Sequence, residues 1–287
     1  MTIRKIPVVF LLVLIAGLAA AASQPIESVH RVVSLLPSAT QMMVDLGYGS
    51  SLIGITEYCE RPSDATQAQI IGSMLMPNLE LIATLKPTLV LANVESNKRP
   101  TIDRIRDLGI PVLVFDPAQT LDDLVVAFQA LAEKLGAQQR ATVYLKEFRE
   151  RLRAITVPLE NRPKKRVFVE IWDKPLVTVS SRTFIHTIVE IAAGENIFAD
   201  ASIPYPKISL ESVIARKPDV ILILSNMSSA EKRVEVYHRF PPLRSCEIIS
   251  IDSRHVTLPC LSSFLRSVDL ISSSLYPDLK KEIEESQ

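Results

Sequence analysis

Glycine is scarce in this chain, eight residues in 287, and the few present form no phosphate-cradling loop. Neither G-x-x-x-x-G-K-[ST] nor G-x-G-x-x-G occurs, so the usual nucleotide-binding turns are excluded. A G-x-S-x-G nucleophile elbow is also missing. His30, His186, His238 and His255 are scattered without metal-site spacing, and Cys59, Cys246 and Cys260 match no zinc motif. No pair of carboxylates stands out for acid–base work, so no catalytic or metal-binding residue is assigned. Charge of one sign is lacking too: 32 basic residues face 32 acidic ones, which gives no electrostatic reason to bind nucleic acid or an anionic membrane. With 19 prolines against eight glycines, large hinge motion is not the first expectation.

Only the first residues are strongly apolar. Arg4 and Lys5 precede an apolar run over 6–22 that ends in small residues, the pattern of a cleavable secretory signal peptide over 1–22. No later run is long enough to span a bilayer, so no membrane insertion is expected once the signal is removed. Losing Arg4 and Lys5 leaves 30 basic against 32 acidic residues. Export places the cysteines in an oxidising compartment. One disulfide with a spare thiol, Cys246–Cys260 being the nearer pair in the last segment, and three packed thiols both remain open.

Short apolar runs of strand type, at 32–36, 52–56, 89–92 and 112–115, alternate with helical spacing at 78–85 and 101–108. Ser38 is a candidate cap for a helix that closes at Gly47. The rhythm returns in the second half, with strands at 167–171, 220–224 and 248–251 and helices at 184–193 and 210–215. Such alternation predicts mainly parallel sheets covered by helices. Between the halves, 137–155 contains no proline or glycine and repeats apolar residues at helical spacing. It reads as one helix of about 30 Å, long enough to join two lobes as a stiff strut. The expected organisation is an α/β lobe at 23–136, a linking helix at 137–157 and a second α/β lobe at 158–287.

An internal echo supports two lobes. Residues 78–91 read NLELIATLKPTLVL and 209–222 read SLESVIARKPDVIL, which places Glu80 and Glu211 at the same position of each copy.

Several stretches carry a family resemblance. RVVSLLPSAT at 31–40, GITEYCERP at 54–62 and PNLELIATLKPTLVLA at 77–92 resemble the first lobe of the ABC-importer binding proteins for cobalamin and ferric siderophores. PKKRVFVEI at 163–171, AGENIFAD at 193–200 and IPYPKISLESVIARKPDVILI at 203–223 resemble the second lobe, and within the family the likeness is greatest to the cobalamin binders. The resemblance implies two Rossmann-like lobes joined by a rigid backbone helix, with the ligand cleft between them. It implies a monomeric periplasmic protein that captures a small metal chelate, most of all cobalamin, holds no cofactor of its own, and delivers its ligand to the permease dimer of an ABC importer. Glu80 and Glu211 match the glutamates that dock on the permease, although both also suit the start of a helix.

In the cleft, Tyr58 matches a family tyrosine and Tyr205 falls where the cobalamin binders carry a tryptophan. Met74 and Asn93 replace two further tryptophans, while Trp172, the only tryptophan, is a candidate replacement after the 167–171 strand. The arginines of a family run after Asp252 are absent, with Arg254 or Arg266 as candidate substitutes. That loss weighs against a strongly anionic siderophore. Haem is a rival ligand, for which Tyr58, Tyr205 or His186 are the candidate axial ligands. Cys59 reads as a contact to a bound metal or as a small buried residue. A secreted enzyme using the same cleft would have only Tyr58, Cys59 and Glu60 in a row to work with, and a sensor or scaffold sharing the docking face is a third possibility.

Overall fold

The computed structural model describes residues 30–225, 230–253 and 256–278; the expected signal segment, Arg254 and His255 lie outside them. The first lobe runs β1 (Val32–Ser34), α1 (Pro37–Asp45), β2 (Leu52–Ile55), β3 (Gln69–Ile70), α2 (Leu79–Leu85), β4 (Leu89–Asn93), α3 (Arg99–Asp107) and β5 (Val112–Phe115). Its strands form one parallel sheet in the order β3-β2-β1-β4-β5. Two helices follow, α4 (Leu121–Lys134) and α5 (Gln138–Thr156). The second lobe holds β6 (Lys165–Glu170), a hairpin of β7 (Trp172–Asp173) and β8 (Leu176–Val177), α6 (Phe184–Ile191), β9 (Gly194–Asn196), α7 (Leu210–Ala215), β10 (Val220–Ser225), α8 (Ala230–His238) and β11 (Glu247–Asp252). Its main sheet is parallel in the order β11-β10-β6-β9, and α9 (Leu261–Leu275) completes the described chain.

Strand alternation divides the interior into three cores. In β4, Leu89 and Leu91 face one way and Val90 and Ala92 the other; in β10, Val220, Leu222 and Leu224 oppose Ile221 and Ile223. Side chains on a strand alternate faces, so each sheet buries both sides. The outer faces form two local cores, one per lobe. The inner faces belong to a single cluster that runs from Val32 and Leu91 through Phe128, Leu145 and Phe264 to Val169 and Leu222. Helices α1, α4, α5, α6 and α9 supply its middle. The two lobes are thus fused through a shared apolar layer, and the described chain from Arg31 onward is one compact unit.

The echo has a structural counterpart. Asn78 and Ser209 cap α2 and α7, accepting hydrogen bonds from the Leu81 and Ser212 amides. Each helix is followed by a lysine with positive φ, Lys86 at 48° as the C-cap of α2 and Lys217 at 47° one residue past the Arg216 C-cap of α7. Arg31 then donates from Nη2 to the Leu85 carbonyl at 2.7 Å, and Arg166 donates from Nη2 to the Arg216 carbonyl at 2.8 Å. Each arginine also reaches the lysine carbonyl from Nε, at 3.4 and 3.3 Å. The sequence repeat therefore marks a repeated helix-to-strand unit, clamped by an arginine just before or at the start of the neighbouring strand.

Some local expectations change. Ser38 is not the cap of α1: Leu36 is, in extended backbone and without a side-chain cap, and Pro37 occupies the first turn. Proline suits that place because its missing N–H has no helical partner there. Helices α4, α8 and α9 were not anticipated. The three cysteines are free and buried, which selects the packed-thiol alternative over the disulfide. Trp172 lies in the hairpin β7–β8 that follows β6.

Candidate functional site

Because both main sheets are parallel, their strands end on the same side, and loops leaving those ends form the natural place for a ligand. In the first lobe these ends bring Leu36 and Pro37 after β1, Asn93 at the end of β4 and Phe115 at the end of β5. In the second they bring Glu170 at the end of β6, Leu224 in β10 and Ser253 after β11. Two hollows open there. One, about 520 Å³, is walled by Glu170, Trp172, Phe184, Tyr205, Leu224 and Arg233. The other, about 370 Å³, takes Met74, Asn93, Glu95, Phe115 and Asp116 from the first lobe. Phe184, Tyr205 and Thr257 line both, so the hollows are neighbouring parts of one cleft between the lobes.

The anticipated ligand residues divide accordingly. Met74, Asn93 and Tyr205 share one hollow, and Trp172 joins Tyr205 in the other. Tyr58 lies apart, 62% exposed, in a third hollow with Glu60, Arg61, Asp64 and Arg266 that meets the others at Pro37 and Thr257. Arg266 is thus placed beside Tyr58, away from the aromatic wall. His186 lines none of these hollows; its Nδ1 lies 3.4 Å from Asn196 Nδ2. Cys59 is buried, with Thr40 Oγ1 at 3.3 Å and Thr56 Oγ1 at 3.1 Å from its sulfur, as a packed residue would be.

Tyr205 and Trp172 stand on braced backbone. The Tyr205 loop is tied to the strand-like run at 176–180 by hydrogen bonds from Thr178 N to Pro206 O, Ser180 N to Pro204 O and Ile208 N to Leu176 O. Trp172 donates its indole N–H to the Lys174 carbonyl at 3.0 Å, yet the side chain stays 63% exposed, so a ring face is available. Partial burial, and then the nearby Glu95 charge, push the Tyr205 hydroxyl above its usual pKa. Asn93 is partly committed: its Oδ1 accepts the Ser96 amide at 2.7 Å. Asn97, fully buried, accepts the Asn93 amide and donates to the Met74 carbonyl at 2.8 Å, which ties the two cleft loops together. Asn97 was not singled out from sequence.

Nor was the ion pair at the cleft floor. Arg233 Nε donates to Glu170 Oε1 at 2.6 Å and Nη2 to Oε2 at 2.7 Å, a bidentate pair with both side chains largely buried. The Tyr237 hydroxyl donates to the same Oε2, and the guanidinium lies 5.1 Å from the Tyr237 ring centroid. Burial would lower the Arg233 pKa, but Glu170 outweighs it and holds the guanidinium above its usual value. Among the described residues lining the two aromatic hollows, Arg233 is the only cation, against Glu95, Asp116, Glu170 and Asp173.

Glu80 and Glu211 are exposed at the second positions of α2 and α7. The Glu211 carboxyl is held below its usual pKa by its own amide and by the Ser209 hydroxyl.

Two parallel-sheet lobes around one inter-lobe cleft define a bilobal α/β solute-binding protein. The chain belongs to the periplasmic binding protein family, whose model matches residues 32–239. A vitamin B12-binding protein of Yersinia pestis is 31% identical over 207 residues, covering 72% of this chain and 74% of that one. Two solved structures share the fold. The periplasmic vitamin B12 binding protein of Vibrio cholerae aligns with a TM-score of 0.73 at 24% identity, over 88% of this chain and 98% of its own. The periplasmic heme binding protein of Vibrio cholerae aligns with a TM-score of 0.77 at 22% identity, over 87% and 100%. Among the described residues, no helix is long and apolar enough to cross a membrane.

Proposed function

We propose that this protein is exported by a cleavable signal at 1–22, captures a cobalamin-type corrinoid in the periplasm and hands it to an ABC importer. The observation that carries the choice of ligand is the character of the cleft wall: Trp172, Phe184, Tyr205 and Phe115 offer aromatic surface, while among the described lining residues acids outnumber the one cation. Aromatic side chains give a flat macrocycle broad contact with little loss of conformational freedom. An acid-rich wall disfavours ligands that bring carboxylates, such as haem with its two propionates, and accepts a corrin edged by neutral amides. The 31% identical relative, named for vitamin B12, supports the same reading. Binding is non-covalent and involves no catalytic step. Glu80 and Glu211, exposed and equivalent on the two lobes, are the docking carboxylates for the importer permease.

Equilibrium dialysis of the mature protein against cyanocobalamin, haem and ferric siderophores tests the proposal. One equivalent of cyanocobalamin retained, with the others passing freely, is the expected result. Retention of haem or a siderophore instead would overturn the choice of ligand while leaving the transport role intact.

A further inference from the structure

The Glu170–Arg233 pair has more hydrogen-bonding capacity than the protein uses. Arg233 carries five N–H donors in a planar fork. Nε and Nη2 are engaged by Glu170 and Tyr237, whereas Nη1 has no protein acceptor among the described residues, and Arg233 lines the larger hollow. The fork therefore has donors to offer a ligand at the floor of the cleft. Its charge is already balanced: Glu170, only 3% exposed, grips it with both oxygens. A guanidinium neutralised in this way acts as a strong donor without a net charge. A neutral carbonyl that meets it gains a hydrogen bond to a charged group. A carboxylate that meets it leaves one uncompensated negative charge in a partly desolvated site, beside Glu170 and with Asp173 on the same wall.

We propose that Arg233, held by Glu170 and Tyr237, is a specificity-determining residue that reads an uncharged oxygen acceptor, an amide carbonyl, on the bound ligand and discriminates against a carboxylate at the same place. This rests on the corrinoid reading above and sharpens it. Cobalamin carries primary amides around its ring, and hydrolysis of one amide gives a nearly isosteric monocarboxylate, so the distinction falls on one group. Glu170 makes the discrimination as much as Arg233 does, since removing its charge turns a neutral donor into a cationic one.

The experiment compares cyanocobalamin with its monocarboxylate derivatives by equilibrium dialysis on the mature chain, for the wild type and for Glu170→Gln. The wild type is expected to prefer the amide by about tenfold or more for at least one monocarboxylate, the scale of one hydrogen bond to a charged group. Glu170→Gln should abolish or invert that preference, read as the ratio of the two affinities whatever the affinity for cyanocobalamin itself. The double variant Glu170→Gln/Arg233→Met, which leaves no buried charge unpaired, should weaken cyanocobalamin by about tenfold with its melting temperature close to that of Glu170→Gln. An unchanged amide-to-carboxylate ratio in a folded Glu170→Gln protein would overturn the role of the floor. If the wild type retains haem and not cobalamin, the corrinoid reading falls on its own. The same ratio, measured between haem dimethyl ester and haem, then decides whether the floor prefers the neutral acceptor. Retention of neither macrocycle overturns both.

Discussion

Tyr205 shows what a single position contributes. Its loop is pinned by three backbone hydrogen bonds, and its ring forms a wall common to both aromatic hollows. Truncation to alanine removes contact area from each at once. Tyr205→Ala should weaken cyanocobalamin about tenfold to a hundredfold in dialysis with little change in melting temperature, as for an aromatic anchor at an interface. His186 behaves differently. Burial, its largest influence, lowers its pKa below 6.5. A histidine with a depressed folded pKa contributes stability that is complete above about 6.5 and is lost as pH falls through the folded value. Melting temperatures of wild type and His186→Gln should therefore converge as pH falls from 7 to 5, and parallel curves would remove the assignment. At this scale the sequence is readable where a residue stands in a distinctive string, as Tyr205 does in IPYPK. It is silent where partners are remote: 63 residues separate Glu170 from Arg233, and nothing near either predicts the other.

Among the elements, the clamped helices α2 and α7 were the most legible, because capping residue, apolar stripe and Lys-Pro ending are all local signals. The arginines that secure them were not, since Arg31 and Arg166 lie 54 and 50 residues before the carbonyls they bind. Arg31→Ala and Arg166→Ala should each lower unfolding free energy by about 1 kcal/mol, and the double variant by their sum, because the sites are in separate lobes. Denaturant titration gives both quantities. Helix α9 escaped notice for a chemical reason. Its sequence is rich in serine, which favours turns, but Ser267, Ser273 and Ser274 turn their hydroxyls onto the carbonyls of Ser263, Asp269 and Leu270, one turn back. Leu261, Phe264, Leu265, Val268 and Ile271 then supply the buried stripe. At the end of α1, burial raises the Asp45 pKa against the hydrogen bonds it accepts, Gln41 first. A raised carboxylate pKa gives stability that is present below about 3.8 and lost as pH rises through the folded value. Asp45→Asn should thus raise the melting temperature at pH 7 and leave it unchanged near pH 3.

For the molecule as a whole, the decisive feature is the inner core that belongs to neither lobe alone. Opening the cleft widely would expose Phe128, Leu145 and Phe264 to water, at roughly 25 cal/mol for each Å² of apolar surface. Small-angle scattering should accordingly show nearly the same radius of gyration with and without cyanocobalamin; a large contraction would contradict the shared core. The alternation of strand and helix made the α/β class readable from sequence. That the lobes pool their interiors could not be read, because it depends on how α9 packs against α1, α4, α5 and α6, which come from both halves of the chain. If Glu80 and Glu211 dock on the permease, Glu80→Ala/Glu211→Ala should abolish importer-dependent uptake and leave ligand affinity intact.

The matching helix-to-strand units have a consequence for counting. A carrier that bears the same mark on both lobes is a palindrome to a two-fold partner, readable in either direction. A two-fold partner offers two equivalent orientations to any carrier; what the matching marks add is that one receiving surface, repeated by the partner's symmetry, can serve both ends.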